Sequence, residues 1–333
     1  MNVALAVRTP EFDPQYTIAV DFADRSIEGA VSAYRDGKMG QQAFDRVIEG
    51  VLSHNPEHLE AHLTSAAAAY ARGDYDNALA SYRRAETVSS GVIQDWMLTD
   101  ADYSAGVGKL YLRSLMGVAL ASMRLGNYQD SIEAIECLLA KSPADQQSAR
   151  NLLGSLYLRN GEHGMADRYL TMCAEKYPAA GYELALLRFR DKDLLEATTQ
   201  LRRAILKNGY IGEMIAGNRR PQQRIFWHTS DLEKPTHAMT YVSNFMDLWE
   251  STKHSLEFAA WVYNHPKVMK ERAEVLDLQE QMLHEHVGTR AWSEISRKWA
   301  MLIQGVNDDI SRQILVVRTD LDGNSIFPWQ VKA

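Results

Sequence analysis

A spacing of 35 residues constrains this chain more than any other feature. Gly126 and Gly161 lie that far apart (161 − 126), and so do Pro143 and Pro178 (178 − 143). Laying Leu115–Pro143 over Arg150–Pro178 therefore superimposes a glycine turn and a closing proline, the signature of stacked helical hairpins. Small residues at Gly154 and Ala166 let two antiparallel helices approach, while Leu153, Tyr157 and Leu170 fill the space around them. Gly161 ends the first helix because glycine alone enters the left-handed conformation without steric cost. Pro178, lacking an amide donor, is expected to stop the second. One hairpin cannot bury its apolar face alone, so further copies are expected.

Those copies are present. Gly73 to Ala78 reads Gly-Asp-Tyr-Asp-Asn-Ala, with Ala66, Tyr70, Tyr82 and Ala85 at repeat positions. After Pro178, Ala185, Ala197 and Ala204 mark another, with Asp191-Lys192-Asp193 as a turn without glycine. Tyr34 to Pro56 reads as a degenerate first copy whose second helix runs from Phe44 to Ser53. The placement of Leu153, Gly154, Tyr157, Ala166 and Pro178 resembles the tetratricopeptide repeat. That resemblance implies an all-α, right-handed superhelix of helix-turn-helix repeats. The expected organisation is an N-terminal arm (1–16), repeats over 17–208 (clearest at 59–90, 112–143, 147–178 and 178–208), and a helical C-terminal cap (209–333). Gly73 and Gly126 are 53 residues apart, 18 more than the period, so Val88 to Gly108 reads as an insertion carrying Trp96, Met97 and Tyr103. Insertions in such arrays map to one face and often belong to a binding surface.

Past Asn208 the pattern breaks. Gly209 to Pro235 holds Pro221, Pro235, Gly212 and Gly217, the clearest boundary in the chain. A helical pair is predicted next, over 236–249 and 252–263, halted by Asn264-His265-Pro266. Residues Asn208, Tyr210, Ile211, Ala216, Gly217, Pro221, Ala238, Tyr241, Trp249, Thr252, Leu256 and Trp261 are similar to the tail that follows repeats in proteins related to the suppressor-of-tumorigenicity family. The likeness implies that 208–262 packs on the repeats as a unit, and implies no chemistry. A charged helix over 268–285 follows, then an amphipathic one with Trp292, Ile295, Trp299 and Leu302 on one face. Ile314 to Val317 and Ser325 to Phe327 flank Asp322-Gly323-Asn324, which predicts a small terminal β-hairpin.

Composition narrows the function classes. A net charge of −7 argues against non-specific grip on nucleic acid or anionic membrane. The start, Met1 to Val7, reads as neither signal peptide nor anchor, and no window approaches the ~20 apolar residues of a spanning helix. With two cysteines, Cys137 and Cys173, read as reduced thiols, the expected location is the cytoplasm. Gly106-Val107-Gly108-Lys109 fails as a phosphate loop because Tyr103 and Leu110 occupy two of its required places. His58 and His62 share a helix face but lack further convergent ligands, and Asp320, Asp322 and Asn324 lack the glycine and glutamate spacing of a calcium loop. No catalytic residue, cofactor or metal is predicted.

Mapping the repeat resemblance residue by residue places Tyr70, Met116, Leu120, Asn151, Ser155, Tyr182 and Leu186 along a concave groove lined by the first helix of each copy. Arg124, Arg159 and Arg190 recur near the end of that helix in three successive copies. A column of guanidinium groups suits carboxylate recognition, although a basic residue there also complements the helix dipole. The reading is a non-catalytic scaffold, adaptor or chaperone-like, holding a peptide or helix of a protein partner. The alternative is an enzyme or enzyme subunit with a pocket where 209–237 meets the repeats, lined by Arg219, Arg220, Trp227, His228 and His237. Self-association through Trp292 and Trp299 in the C-terminal region is a third expectation.

Overall fold

The computed structural model describes residues 25–91, 106–145, 148–319, 323 and 325–330. Among these the chain is all-α, apart from one two-stranded hairpin. The chain divides into two compact units, Met1–Gly161 and Glu162–Ala333. The arm at 1–16, residues 17–24 at the start of the predicted repeats, and Trp96, Met97 and Tyr103 of the insertion lie outside the described residues.

The first unit contains α1 (Arg25–Arg35), α2 (Gln41–His54), α3 (Leu59–Ala71), α4 (Tyr75–Ser90), α5 (Gly106–Arg124), α6 (Tyr128–Lys141) and α7 (Arg150–Asn160). Each helix from α1 to α6 packs on the next. The turn glycines behave as their spacing predicts: Gly73, Gly126 and Gly161 all sit at φ +79°. At the first two turns the following amide bonds back five residues, Asp74 N–H to the Ala69 carbonyl and Asn127 N–H to that of Ser122. That bond satisfies a helix-end carbonyl that would otherwise be orphaned. The first helices of the copies are buried around their circumference: every residue from 111 to 123 in α5 and from 152 to 158 in α7 is buried. The second helices bury a stripe, such as Ala78, Tyr82, Ala85 and Ser89 in α4. Contact is closest at Gly117, where an added Cβ would lie 2.3 Å from the Tyr82 ring. Gly106 to Lys109 form the opening of α5. His58 caps α3 by accepting from Ala61 N–H, and His62 Nε2 lies 2.8 Å from the Pro56 carbonyl.

The second unit contains α8 (His163–Ala174), α9 (Pro178–Arg190), α10 (Leu194–Lys207), α11 (Gly209–Ile215), α12 (Pro235–Glu250), α13 (Ser255–Asn264), α14 (Pro266–Leu283), α15 (Arg290–Gln304) and α16 (Asp308–Ile314). Pro178 does not stop the helix before it. That helix, α8, ends at Ala174, and Pro178 opens α9, where its missing amide needs no partner. At the predicted turn without glycine, Lys192 takes the left-handed conformation (φ +64°), and Asp193 caps α10 through Glu196 N–H.

Helix α10 is the hub of this unit, packing on α9, α11, α13, α14, α15 and α16. Its Arg202, 1% exposed, meets Glu271 of α14 through two nitrogens and bonds the Asn307 carbonyl and Ser311 Oγ at 2.7 Å each. Thr199 Oγ1 reaches Asp308 and Ser311 of α16, both at 2.8 Å. A terminal hairpin is present, β1 (Arg318–Thr319) antiparallel to β2 (Ser325–Ile326), but its first strand is displaced from the predicted 314–317. Ile314 ends α16 instead, because Asn307 caps that helix through Asp309 N–H and Ile314 is fully buried. No described helix is long and apolar enough to cross a membrane.

Candidate functional site

The three arginines do two different jobs. Arg124, at the end of α5, donates from Nε to the Tyr70 hydroxyl at 3.3 Å, with its guanidinium 5.7 Å from the centroid of the Tyr75 ring. Arg159, at the end of α7, repeats the arrangement on Tyr128, with 3.4 Å to the hydroxyl and 5.5 Å to the centroid. Tyr75 and Tyr128 each stand two residues after a turn glycine, Gly73 and Gly126. Each arginine therefore clasps the hairpin tip of the preceding copy by a cation–π contact, worth roughly 0.5–2 kcal/mol. Arg190 is held differently. In the second unit its Nε bonds Thr252 Oγ1 and its Nη2 the Leu248 carbonyl, both at 2.9 Å, which caps the end of α12 with a positive charge.

Six of the expected groove residues are core. Tyr70, Met116, Leu120, Ser155, Tyr182 and Leu186 are all at most 4% exposed. The reason is the all-round burial of the first helices, which leaves these side chains no free face. Tyr182 shows it within the second unit: its hydroxyl donates to the Asn208 carbonyl at 2.7 Å, and its ring stands 6.1 Å from Tyr241 of α12. Beside it, Phe189 stacks on Phe258 of α13. Arg124, Asn151, Arg159 and Arg190 keep part of their surface in solvent, and Asn151 Nδ2 is buried without a hydrogen-bond partner.

The sequence model of the tetratricopeptide repeat family matches residues 40–91 and 119–166. These two stretches are similar to tetratricopeptide repeats. The first spans α2 to α4, and the second runs from within α5 into the start of α8. No curated protein matches the chain.

Beyond the tetratricopeptide matches, the second unit carries a cavity of about 500 Å³ that is open to solvent on one side. The end of α8, the start of α9, the exposed side of α10, residues 230–233 and α15 form its walls. Its charged groups are Glu175, Lys176, Arg203, Lys207 and Glu233. Glu233 lies in a single 3-10 turn (Asp231–Glu233), is 8% exposed, and accepts from Thr229 N–H at 3.0 Å and Gln279 Nε2 at 3.4 Å. Burial pushes its carboxyl up to about 7. Lys207 is held below the usual lysine range by burial, an effect its neighbour Arg203 reinforces and Glu175 opposes.

None of the five residues expected to line a pocket at 209–237 lines this cavity. Trp227 sits edge-on to Trp292, and its backbone N–H donates to the Gln279 carbonyl. His228 stacks on Phe226, and burial, together with Lys234, keeps its imidazole below the ordinary range. His237 is buried in α12, Arg219 pairs with Glu250 at 3.7 Å on the surface, and Arg220 is exposed. Lys207, Glu233 and Trp299 come from three separate segments with no motif in common, and sequence inspection did not single out the first two.

Proposed function

We propose that this chain is a non-catalytic protein-binding scaffold, adaptor or chaperone-like, whose tetratricopeptide repeats hold a peptide or helix of a protein partner. Tetratricopeptide repeats generally mediate protein–protein interaction. The observation that carries the reading here is the pair of arginine–tyrosine clasps. Arg124 and Arg159 are held by tyrosine rings and hydroxyls, and both remain partly exposed. A guanidinium pinned in this way is pre-organised for carboxylates. The occupant that fits is therefore an acidic or amphipathic partner segment. Arg190, engaged on α12, supports the packing of the second unit in this reading. The likeness of 208–262 to the suppressor-of-tumorigenicity-related tail fits the same class, as does a cytoplasmic setting.

The test is affinity capture from the native cell, comparing wild type with Arg124→Glu/Arg159→Glu, each checked for native helicity by circular dichroism. Tyr128→Phe serves as a control that removes a clasp hydroxyl and keeps the guanidinium. A partner recovered by wild type and the control, and lost from the folded double variant, supports the reading. Equal recovery by all three removes the arginines from the binding surface.

A further inference from the structure

The cavity of the second unit is of a size that small-molecule sites occupy, about 500 Å³ against a usual range of roughly 300–1,000 Å³. Its chemistry is uneven. Arg203 and Lys207 stand one turn apart on α10, and both spend their hydrogen bonds on neutral carbonyls. Lys207 Nζ donates to the carbonyls of Ala174, at 2.9 Å, and Glu175. Arg203 donates from Nε and Nη2 to the Val306 carbonyl, at 3.3 and 3.0 Å. Carbonyls occupy donors without cancelling charge, so two cations that repel each other remain at the cavity wall. Glu175 offsets part of that charge and is itself exposed.

Across the cavity, Leu184, Leu232, Trp299 and Ile303 supply apolar surface. The indole N–H of Trp299 is buried and has no acceptor, an arrangement that costs about 1–3 kcal/mol unless something fills it. Glu233 closes another part of the wall and limits how much negative charge the space tolerates. We propose that this cavity binds a small amphipathic monocarboxylate, its head held by Lys207 and Arg203 and its apolar body laid against Trp299, Leu184 and Ile303. A carboxylate neutralises the cations and offers lone pairs to the indole, whereas a phosphate dianion would face the Glu233 carboxyl at closer to full charge. This site is independent of the partner surface on the first unit.

Isothermal titration calorimetry on the full chain at neutral pH, with decanoate, decanol, acetate and decyl phosphate below their micellar concentrations, tests it. Decanoate should bind one per chain, at least about tenfold more tightly than decanol or acetate and more tightly than decyl phosphate. Lys207→Met should weaken decanoate by about tenfold or more, and Trp299→Phe, which keeps the apolar ring and removes the N–H donor, by about fivefold. Trp299→Phe decides the matter if Lys207→Met fails to fold. The proposal is overturned by an absence of saturable decanoate binding, by decanol or decyl phosphate binding as tightly as decanoate, or by folded variants that bind like wild type.

Discussion

Glu233 should write its ionisation into the stability of the second unit. The carboxyl is 8% exposed, has no ion-pair partner among the described residues, and accepts from Thr229, through its backbone N–H and its side chain, and from Gln279. Burial raises it from 4.5 to about 7, so carrying it ionised costs on the order of 3 kcal/mol. The sign follows from which state holds the proton. Below about 4.5 both the folded and unfolded chains are protonated at this group, and it contributes nothing. As pH rises toward 7 the unfolded chain has already ionised while the folded one keeps its proton. Stability therefore falls through that window and stays lower above it. Glu233→Gln removes the ionisation and keeps a carbonyl oxygen for both donors. Urea unfolding followed by tryptophan fluorescence should find the variant about 2–3 kcal/mol more stable than wild type at pH 8, with the gap closing toward pH 4.5. A gap of the same size at both pH values would refute the idea that burial sets this group's behaviour.

Other substitutions test the packing. Gly117→Ala places a methyl 2.3 Å from the Tyr82 ring, itself 1% exposed, and should cost about 1–3 kcal/mol in thermal or urea unfolding. Lys192→Gly removes a side chain from a left-handed backbone and should leave stability unchanged or raise it by up to about 1 kcal/mol, read as a higher melting temperature. Glu271→Ala strips Arg202 of its carboxylate at 1% exposure and should cost about 3–5 kcal/mol by urea unfolding.

Local chemistry explains what was legible in the sequence. The turns at Gly73, Gly126 and Gly161 were readable because a positive φ needs glycine, and Lys192 shows the same turn where that signal is absent. The helices over Pro235–Glu250, Ser255–Asn264 and Arg290–Gln304 follow the apolar periodicity closely. Positions taken from the repeat pattern do not reveal whether their helices keep a polar face, which is why the burial of six expected groove residues was not legible. The run from Tyr182 to Leu187 has only Glu183 to offer, and it too is buried. The arginine clasps were half visible: Arg124 and Arg159 recur 35 residues apart, while Tyr75 and Tyr128 are tied to them only by standing two residues after a turn glycine. Ile314 to Val317 looked like a strand because its residues are strand formers, yet the Asn307 cap and the burial of Ile314 hold the first of them in a helix. The cavity could not be read at all, because Lys207, Glu233 and Trp299 meet only once α10, the 3-10 turn and α15 have packed.

The hub position of α10 has a consequence for synthesis. Arg202 waits 105 residues for the Asn307 carbonyl, and Thr199 waits 112 for Ser311. The hairpins of the first unit need only sequence neighbours, so they can close as they leave the ribosome. Helix α10 emerges with a buried-type arginine and the apolar residues Leu201, Ile205 and Leu206 still uncovered, and it remains sticky until the segment around Asn307 and Ser311 is made. A chain cut near residue 208 would keep that surface permanently open, so premature termination in the second half should produce aggregates rather than a smaller working protein.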